Sequence, residues 1–244
     1  MRIAVISDIH SNLPALEGFF EFIKALNVEK IVCLGDLVGY NPWPNDCVEM
    51  VRKNDIPAIM GNHDRVASGI EEPDHFNLAA KRAILWTRES LSGDNRDWLT
   101  KLPERLLVNN RILLVHGSPS DPNEYIFSVD SAIYNMEFMT ERFGVSICFF
   151  GHTHAVAVYS MKSKDLFFLE GDTIDIEDGV KYLINPGSIG QPRDSDPRAA
   201  FLIFDEGEKK VEFYRFPYDI DTVYKAIIET GQDEFLGKRL YLGR

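Results

Sequence analysis

The 244-residue chain is 45% hydrophobic and carries 38 acidic against 26 basic residues, a formal net charge of −12. That length suffices for one sizeable core, and the acidic balance argues against a general nucleic-acid binder, which would carry a basic face. The three cysteines have no CxxC spacing, which argues against a disulfide scaffold and a cysteine-type zinc site. The N-terminus has no signal-peptide pattern, and the sequence has no apolar run near twenty residues. We therefore expect a cytoplasmic protein without a membrane span.

The first half of the chain alternates predicted strands and helices. Short apolar runs bounded by turn residues predict buried strands over residues 2–7, 30–35 and 56–61. Apolar residues at helical spacing predict helices over residues 12–27, 44–54, 76–91 and 95–102. Asn12 is the predicted N-cap of the first helix.

The second half of the chain is mostly β. Residues 105–110 and 111–117 predict a hairpin around an Asn-Asn turn, followed by a helix over 129–144 that ends at Gly144 and a strand over 146–151. Further strands are predicted over 155–161, 165–171, 181–187 and a hairpin at 199–216, before a last helix at 220–230 and a short tail. We therefore predict one α/β domain spanning residues 1–244, with two facing mixed β-sheets flanked by helices.

Side chains that can bind metal follow five of the predicted strands: Asp8, His10, Asp36, Asn62, His63, Asp64, His116, His152 and His154. Open α/β sheets place ligands at the carboxyl ends of their strands, so these side chains should converge. A single histidine after a strand is more often a surface or hydrogen-bonded residue. Five of the six histidines at such positions, together with Asp8 and Asp36, indicate a metal site instead.

The types of side chain indicate which metals and which chemistry. Imidazole, carboxylate and amide oxygen suit divalent Mn, Fe or Zn. About seven ligands are too many for one tetrahedral ion and suit two, an arrangement that clamps a phosphoryl group during in-line displacement. Asp36, the only carboxylate at the end of its strand, is the predicted bridge between the two ions.

Five short motifs occur in a fixed order: "DIH" (8–10), "GD" (35–36), "GNHD" (61–64), "HG" (116–117) and "GHTH" (151–154). In this order the sequence resembles the calcineurin-like metallophosphoesterases. The resemblance implies a four-layer fold, in which two β-sheets pack face to face with helices outside. It also implies a metal-dependent phosphoesterase with two divalent ions, manganese favoured over iron or zinc.

The resemblance assigns a role to each motif residue. The first ion would be held by Asp8, His10, Asp36 and His154, and the second by Asp36, Asn62, His116 and His152. His63 would contact the phosphate or protonate the leaving group, with Asp64 orienting it. The nucleophile would be a hydroxide that bridges the two metals.

The motifs also narrow the substrate class. Serine/threonine phosphatases of this superfamily carry "GDxxDRG", whereas this chain has "GDLVGYNP", which argues against a protein phosphatase. The stretch "GDLVGYNPWPNDCV" and the later "NPGSIGQPRD" (185–194) resemble small prokaryotic phosphodiesterases, a branch that includes relatives of dinucleoside-tetraphosphate hydrolases. The implied partner is a small phosphate ester or nucleotide. A phosphomonoesterase with the same site and a non-catalytic metal-binding scaffold are the alternatives.

Several residues have two interpretations. Asn12 could bind substrate or only cap its helix, and Arg193 could bind a phosphate oxygen or pair with Asp194 or Asp196. Tyr40 and Trp43 could stack on an aromatic group of the substrate or pack in the interior. The aromatic stretch "NEYIFSVDSAIY" could be a pocket wall or core, and the acidic segment 170–179 is predicted to be a solvated loop. The sequence neither predicts nor excludes an oligomer.

Overall fold

The strands of the structure, a computed structural model, build two mixed sheets. It describes residues 1–163, 165–168 and 171–244. In chain order the strands are β1 (Arg2–Ile6), β2 (Lys30–Cys33), β3 (Arg105–Val108), β4 (Ile112–Val115), β5 (Ile147–Phe149), β6 (Val156–Lys162), β7 (Asp165–Phe168), β8 (Thr173–Asp175), β9 (Lys181–Pro186), β10 (Ala199–Asp205) and β11 (Lys210–Phe216).

Each sheet combines parallel and antiparallel pairs. The first has the order β2-β1-β10-β11-β8 and the second the order β3-β4-β5-β9-β6-β7. Strands β1 and β2 run parallel, as do β4, β5 and β9. Parallel neighbours end at the same edge of a sheet, so the loops after β1 and β2 lie together, and so do the loops after β4 and β5.

Six of the eight helices in the described residues follow the predicted positions with shorter bounds. The helices are α1 (Leu13–Ile23), α2 (Pro44–Lys53), α3 (Asn62–Ala67), α4 (Leu78–Ser90), α5 (Gly93–Leu99), α6 (Val129–Phe143), α7 (Ile220–Glu229) and α8 (Glu234–Lys238), with a 3₁₀ turn at Arg239–Leu242. Of these, α3 and α8 were not predicted. The predicted ends are confirmed where capping chemistry sets them. The Asn12 side chain accepts a hydrogen bond from the Ala15 amide, and Gly144 ends α6 in the left-handed conformation with φ 69°.

Alternating side chains along the strands explain the layered packing. In β1, Ile3 and Val5 face the second sheet, and Ala4 and Ile6 face the helical layer. The core between the sheets contains apolar residues of both, the outer face of the first sheet packs on α1 and α2, and that of the second packs on α6. These are four layers, helix, sheet, sheet and helix, so the predicted fold class is confirmed.

The predicted strand at 56–61 is wrong. This segment runs beside β2 but forms a single bridge, between Ala58 and Cys33. Pro57 has no amide hydrogen to donate, and Met60 donates to the Pro103 carbonyl instead of to a strand. The chain then enters α3, a helix that the sequence did not predict.

Two other elements differ from the prediction. The acidic segment 170–179, predicted to be a loop, contains the short strand β8, which pairs with β11. Leu169 and Glu170, which belong to the predicted strand 165–171, lie outside the described residues. The predicted short tail contains α8 and the 3₁₀ turn.

Cys33, Cys47 and Cys148 are buried free thiols. None of the helices in the described parts of the chain has the length and apolar content to span a bilayer.

Candidate metal centre

Five of the seven predicted ligands lie on loops that follow strands, in a backbone conformation that L-residues seldom adopt. The left-handed φ values are 53° for Asp8, 47° for His10, 52° for Asp36, 66° for His152 and 58° for His154. Such conformations persist only where the surroundings hold them. The Asp8 amide donates to the Gly35 carbonyl and the His10 amide to the Asp36 carbonyl, so each of the first two loops fixes the other.

Four of the predicted ligands form the first cluster, Asp8, His10, Asp36 and His154. Their ligand atoms all lie within 4.8 Å of one another. The Nε2 atom of His154 is 3.2 Å from Asp8 Oδ1 and 3.1 Å from His10 Nε2. The His10 Nε2 atom is also 3.5 Å from Asp36 Oδ2. These four side chains are buried.

A second cluster lies on the other side of Asp36. It consists of Asp36, His116 and His152, whose ligand atoms again lie within 4.8 Å of one another. The His116 Nε2 atom is 3.3 Å from Asp36 Oδ2 and 3.1 Å from the Asn62 side-chain oxygen. The structure therefore gathers six of the seven predicted ligands into two groups that share Asp36, and it places the seventh, Asn62, against His116 of the second group. Metal binding by these residues stays a prediction.

The donor atoms fit two divalent cations. Asp8 Oδ1 and His152 Nε2 are buried without a hydrogen-bond partner, which is costly unless another group satisfies them. The Nδ1 atoms of His10, His116 and His154 lie 3.0, 2.8 and 2.6 Å from backbone carbonyl oxygens. Each Nδ1 therefore carries its hydrogen, and each Nε2 offers its lone pair to the cluster.

The electrostatics of the clusters also favour cations. Burial lowers the pKa of His152 to about 3 and the pKa values of His10 and His154 well below the usual range. These imidazoles are neutral at pH 7, the form that binds metal. His116 differs from these, because the negative charge of Asp36 outweighs burial and raises its pKa to about 9, so metal binding there must displace the proton on its Nε2 atom. Burial also acts to raise the pKa of Asp36, but the charge of the neighbouring histidines, His116 first, and a hydrogen bond from His116 hold that pKa well below its usual range.

His63 lies beside the first cluster in an aromatic cage. Its ring centroid is 4.5 Å from that of Tyr40 and 4.7 Å from those of His10 and Phe76. Its Nδ1 atom has no hydrogen-bond partner. Burial lowers the pKa of His63 to about 4, so the side chain is neutral at pH 7. It belongs to neither cluster, and its predicted role toward the phosphate stays a prediction.

Asp64 does not orient His63, and that part of the prediction is wrong. Its Oδ1 accepts hydrogen bonds from the Leu37 amide at 2.8 Å and the Val38 amide at 3.2 Å, and its Oδ2 accepts one from Gly61 at 3.0 Å. Asp64 thus ties the start of α3 to the loop that carries Asp36. Burial, assisted by the charge of Asp36, raises the pKa of Asp64 to about 7.

Steric constraints explain why the first residue of the "GNHD" motif is a glycine. A Cβ atom at Gly61 would clash with the carboxylate and amide of Asp36. The Asp36 Oδ1 atom accepts a hydrogen bond from the His63 amide at 2.9 Å. Close approach of the two backbones is therefore what lets Asp36 face both clusters.

The weaker predictions resolve differently. Asn12 is fully buried, its oxygen caps α1 and its nitrogen donates to the Gly190 carbonyl at 2.8 Å. The cap is therefore confirmed, whereas substrate binding by Asn12 stays a prediction that these contacts do not support.

Arg193 does not form the ion pairs suggested as its alternative. Asp194 pairs with Arg215 and Asp196 with Arg198. The Arg193 guanidinium donates to the Gln191 side-chain oxygen at 2.8 Å and lies 5.6 Å from the centre of the Tyr40 ring. Contact of Arg193 with a phosphate stays a prediction.

A cavity of about 230 Å³ opens beside the second cluster. Its lining includes Asn62, His63, His152, Tyr40 and Tyr125. Tyr125 stacks on His152, with ring centroids 3.8 Å apart and an interplanar angle of 24°. From the sequence, the stretch that contains Tyr125 could be a pocket wall or part of the core. Its position shortly after the "HG" motif is the sequence feature that favours a pocket wall. A larger groove of about 1420 Å³, between α1 and α2, includes none of the predicted ligands.

Comparison with known proteins agrees with this geometry. A family model described as the calcineurin-like phosphoesterase superfamily domain matches residues 1–209. An uncharacterized protein of Methanocaldococcus jannaschii is 40% identical over 248 residues, which cover 99% of this chain and 98% of that protein. The crystal structure of a metallophosphoesterase from Sphaerobacter thermophilus has 37% identity and a TM-score of 0.84, with all of both chains covered.

A hypothetical protein from Pyrococcus horikoshii OT3 shares the fold. Its crystal structure has a TM-score of 0.82 at 23% identity and covers 100% of this chain and 98% of its own. The family model, the 40% identical relative and the buried Asp/His clusters all lead to one conclusion. The chain belongs to the calcineurin-like phosphoesterase superfamily.

Proposed function

We propose that the protein is a metal-dependent phosphodiesterase that hydrolyses small phosphate diesters or nucleotides. The observation that carries the proposal is the sharing of Asp36 by two buried clusters of metal-binding side chains. Two divalent ions, manganese in our proposal, would be held by the seven ligands. When bound, they supply Lewis-acid stabilisation of the charge that develops on phosphoryl oxygens and activate water at neutral pH.

Side chains of the protein itself would bind the phosphate and supply the proton to the leaving group. His63 faces the same cavity as Asn62 and His152. With its pKa lowered to about 4 by burial, it is a neutral hydrogen-bond donor toward a phosphoryl oxygen. Protonation of a leaving group by His63 requires that the negative charge of a bound phosphate raise this pKa.

The cavity lining supports a diester in preference to a monoester. Its described residues include Glu71 and Glu72 and no lysine or arginine. A diester carries one negative charge on its phosphate, whereas a monoester near neutral pH carries close to two. Within the lining, no lysine or arginine pairs with that second charge, and the one guanidinium that we predict to reach a phosphate, that of Arg193, lies over the Tyr40 ring outside the lining. The cavity of about 230 Å³ is also small for a phosphorylated protein segment, which supports a small-molecule substrate.

The test is hydrolysis of bis-p-nitrophenyl phosphate beside p-nitrophenyl phosphate, with Mn²⁺ and with a chelated control. The Asp36→Asn variant, purified in the same way, controls for contaminating phosphatases. We expect a higher kcat/KM for the diester and loss of both activities in the variant and in the chelated sample. A higher value for the monoester would make the protein a phosphomonoesterase. No hydrolysis of either by metal-loaded protein would favour a scaffold.

A further inference from the structure

Two large aromatic side chains are exposed next to the metal centre. Tyr125 is 46% exposed and Phe127 is 69% exposed. Their rings are parallel within 7°, with centroids 5.5 Å apart. We call this pair the aromatic ledge. Exposed apolar surface at the rim of a site is typical of a place where a ligand is bound.

The aromatic ledge continues the wall of the cavity outward from the ligands. Tyr125 lines the cavity and stacks on His152, and the more exposed Phe127 stacks on Tyr125. The three rings therefore form a row from the second cluster to the surface. A phosphate held at the clusters would direct one of its ester groups along this row.

A network of hydrogen bonds to the Glu124 side chain holds the segment that carries the aromatic ledge. The carboxylate of Glu124 accepts hydrogen bonds from Ser118 at 2.6 Å, Ser131 at 2.5 Å and Asn135 at 3.0 Å. These partners lie on both sides of the segment, before it in the loop after β4 and beyond it in α6. The backbone beside Tyr125 is thus fixed in advance, which lowers the entropic cost of binding a ligand there.

The shape of the ledge indicates the class of ligand. Flat faces of aromatic side chains bind other flat rings by stacking, and nucleobases do so whatever their sequence because every base has a π-face. An alkyl ester group would gain less from such a surface. The cavity lining contains two further aromatic residues, Tyr40 and Phe76.

We propose that the aromatic ledge is a subsite for the planar aromatic ring, a nucleobase or an aryl ring, of the ester group that stays on the phosphate at the metal centre when the leaving group departs. This inference rests on the proposed phosphodiesterase function and names the substrate class for that same site. Phe127 is the specificity-determining residue to test. It is exposed, and its ring stacks on Tyr125, which is not a predicted metal ligand.

The experiment compares two diesters with the same leaving group, thymidine 5′-(p-nitrophenyl phosphate) and methyl p-nitrophenyl phosphate, both assayed with Mn²⁺. The measured quantity is the ratio of their kcat/KM values. We expect the wild-type protein to prefer the nucleoside ester by about tenfold or more, and Phe127→Ala to lose most of that preference, in keeping with base–aromatic stacking. Tyr134→Ala, which removes another exposed aromatic ring on α6, is the matched control and should keep the ratio.

Three results would overturn the inference while leaving the proposed function standing. The first is a wild-type ratio near one with clear hydrolysis of both diesters. The second is an unchanged ratio in Phe127→Ala. The third is an oligomer of the wild type that Phe127→Ala dissociates in sedimentation experiments, since the ring would then be an interface between copies. Hydrolysis of neither diester by metal-loaded wild-type protein would instead contradict the proposed function itself.

Discussion

Replacement of Asp64 by alanine should destabilise the protein through the loop that positions Asp36. The Asp64 carboxylate accepts three hydrogen bonds from buried amides, those of Leu37, Val38 and Gly61. An unsatisfied buried donor costs about 1–3 kcal/mol, so three give about 3–9 kcal/mol. Burial makes the carboxylate itself unfavourable, as its pKa of about 7 shows, so we expect the lower end, about 3 kcal/mol.

The assay is urea unfolding of the protein in EDTA at pH 7. With a slope of about 1–3 kcal/mol per molar urea, Asp64→Ala should lower the midpoint by about 1–3 M. Asp64→Asn is the matched control, because its amide oxygen can still accept from Leu37 and Val38 while the bond from Gly61 is lost. Its midpoint should lie between those of wild type and Asp64→Ala.

The pH dependence gives a second check on the same residue. The pKa of Asp64 is raised from 3.8 to about 7 in the folded state, so the folded protein holds this proton more tightly than the unfolded chain does. The contribution of Asp64 to stability is therefore complete below pH 3.8 and is lost as the pH rises through about 7. Asp64→Ala should cost more at pH 5 than at pH 8. Equal midpoints of Asp64→Ala and wild type at pH 5 would refute this reasoning.

Three further predictions concern the metal centre and His63. Asp36→Asn should weaken binding at both metal positions, because both clusters contain Asp36; calorimetry that finds one ion bound with wild-type affinity would refute the bridge. His63→Ala should keep both ions, measured by elemental analysis, but lower kcat by about 10²–10⁴-fold, and a loss of metal in this variant would show that His63 is a ligand. Gly39→Ala should displace His63 and lower kcat at unchanged metal content, since a Cβ atom at Gly39 would clash with the His63 Nδ1 atom. Gly69→Ala is its control, with a similar φ of 86° but open space around the added carbon, so a similar fall in kcat for both variants would contradict the clash.

The convergence of the ligands could be predicted because it follows from topology. Asp8 and Asp36 follow parallel neighbours, β1 and β2, and His116 and His152 follow parallel neighbours, β4 and β5. Apolar runs that end in metal-binding side chains are visible in the sequence, and parallel strands must end at a common edge. The division of the ligands between two ions came from the resemblance, and the Asp and His members of each set lie together in the structure.

The parts that could not be predicted depend on contacts distant in sequence. Residues 56–61 have the apolar content of a strand, but only Ala58 bridges to β2. Pro57 is a local sign against a regular strand, whereas the hydrogen bond from Met60 to the distant Pro103 carbonyl is not visible in the sequence. The partners of Asp64 lie 26 and 27 residues away in the loop after β2, so its pairing with His63 was the simpler local expectation. The stacking of Tyr125 on His152 likewise joins two loops that no periodicity connects.

Metal stoichiometry tests the central claim most directly. The protein would be stripped with a chelator, dialysed to equilibrium against Mn²⁺ and analysed for manganese per chain in excess of the dialysis buffer, with Asp36→Asn treated in parallel. Two buried clusters that share Asp36 predict two equivalents for the wild type and a marked loss for the variant. A wild-type chain that holds one equivalent or none, at Mn²⁺ concentrations that saturate any activity, would contradict a two-ion phosphoesterase.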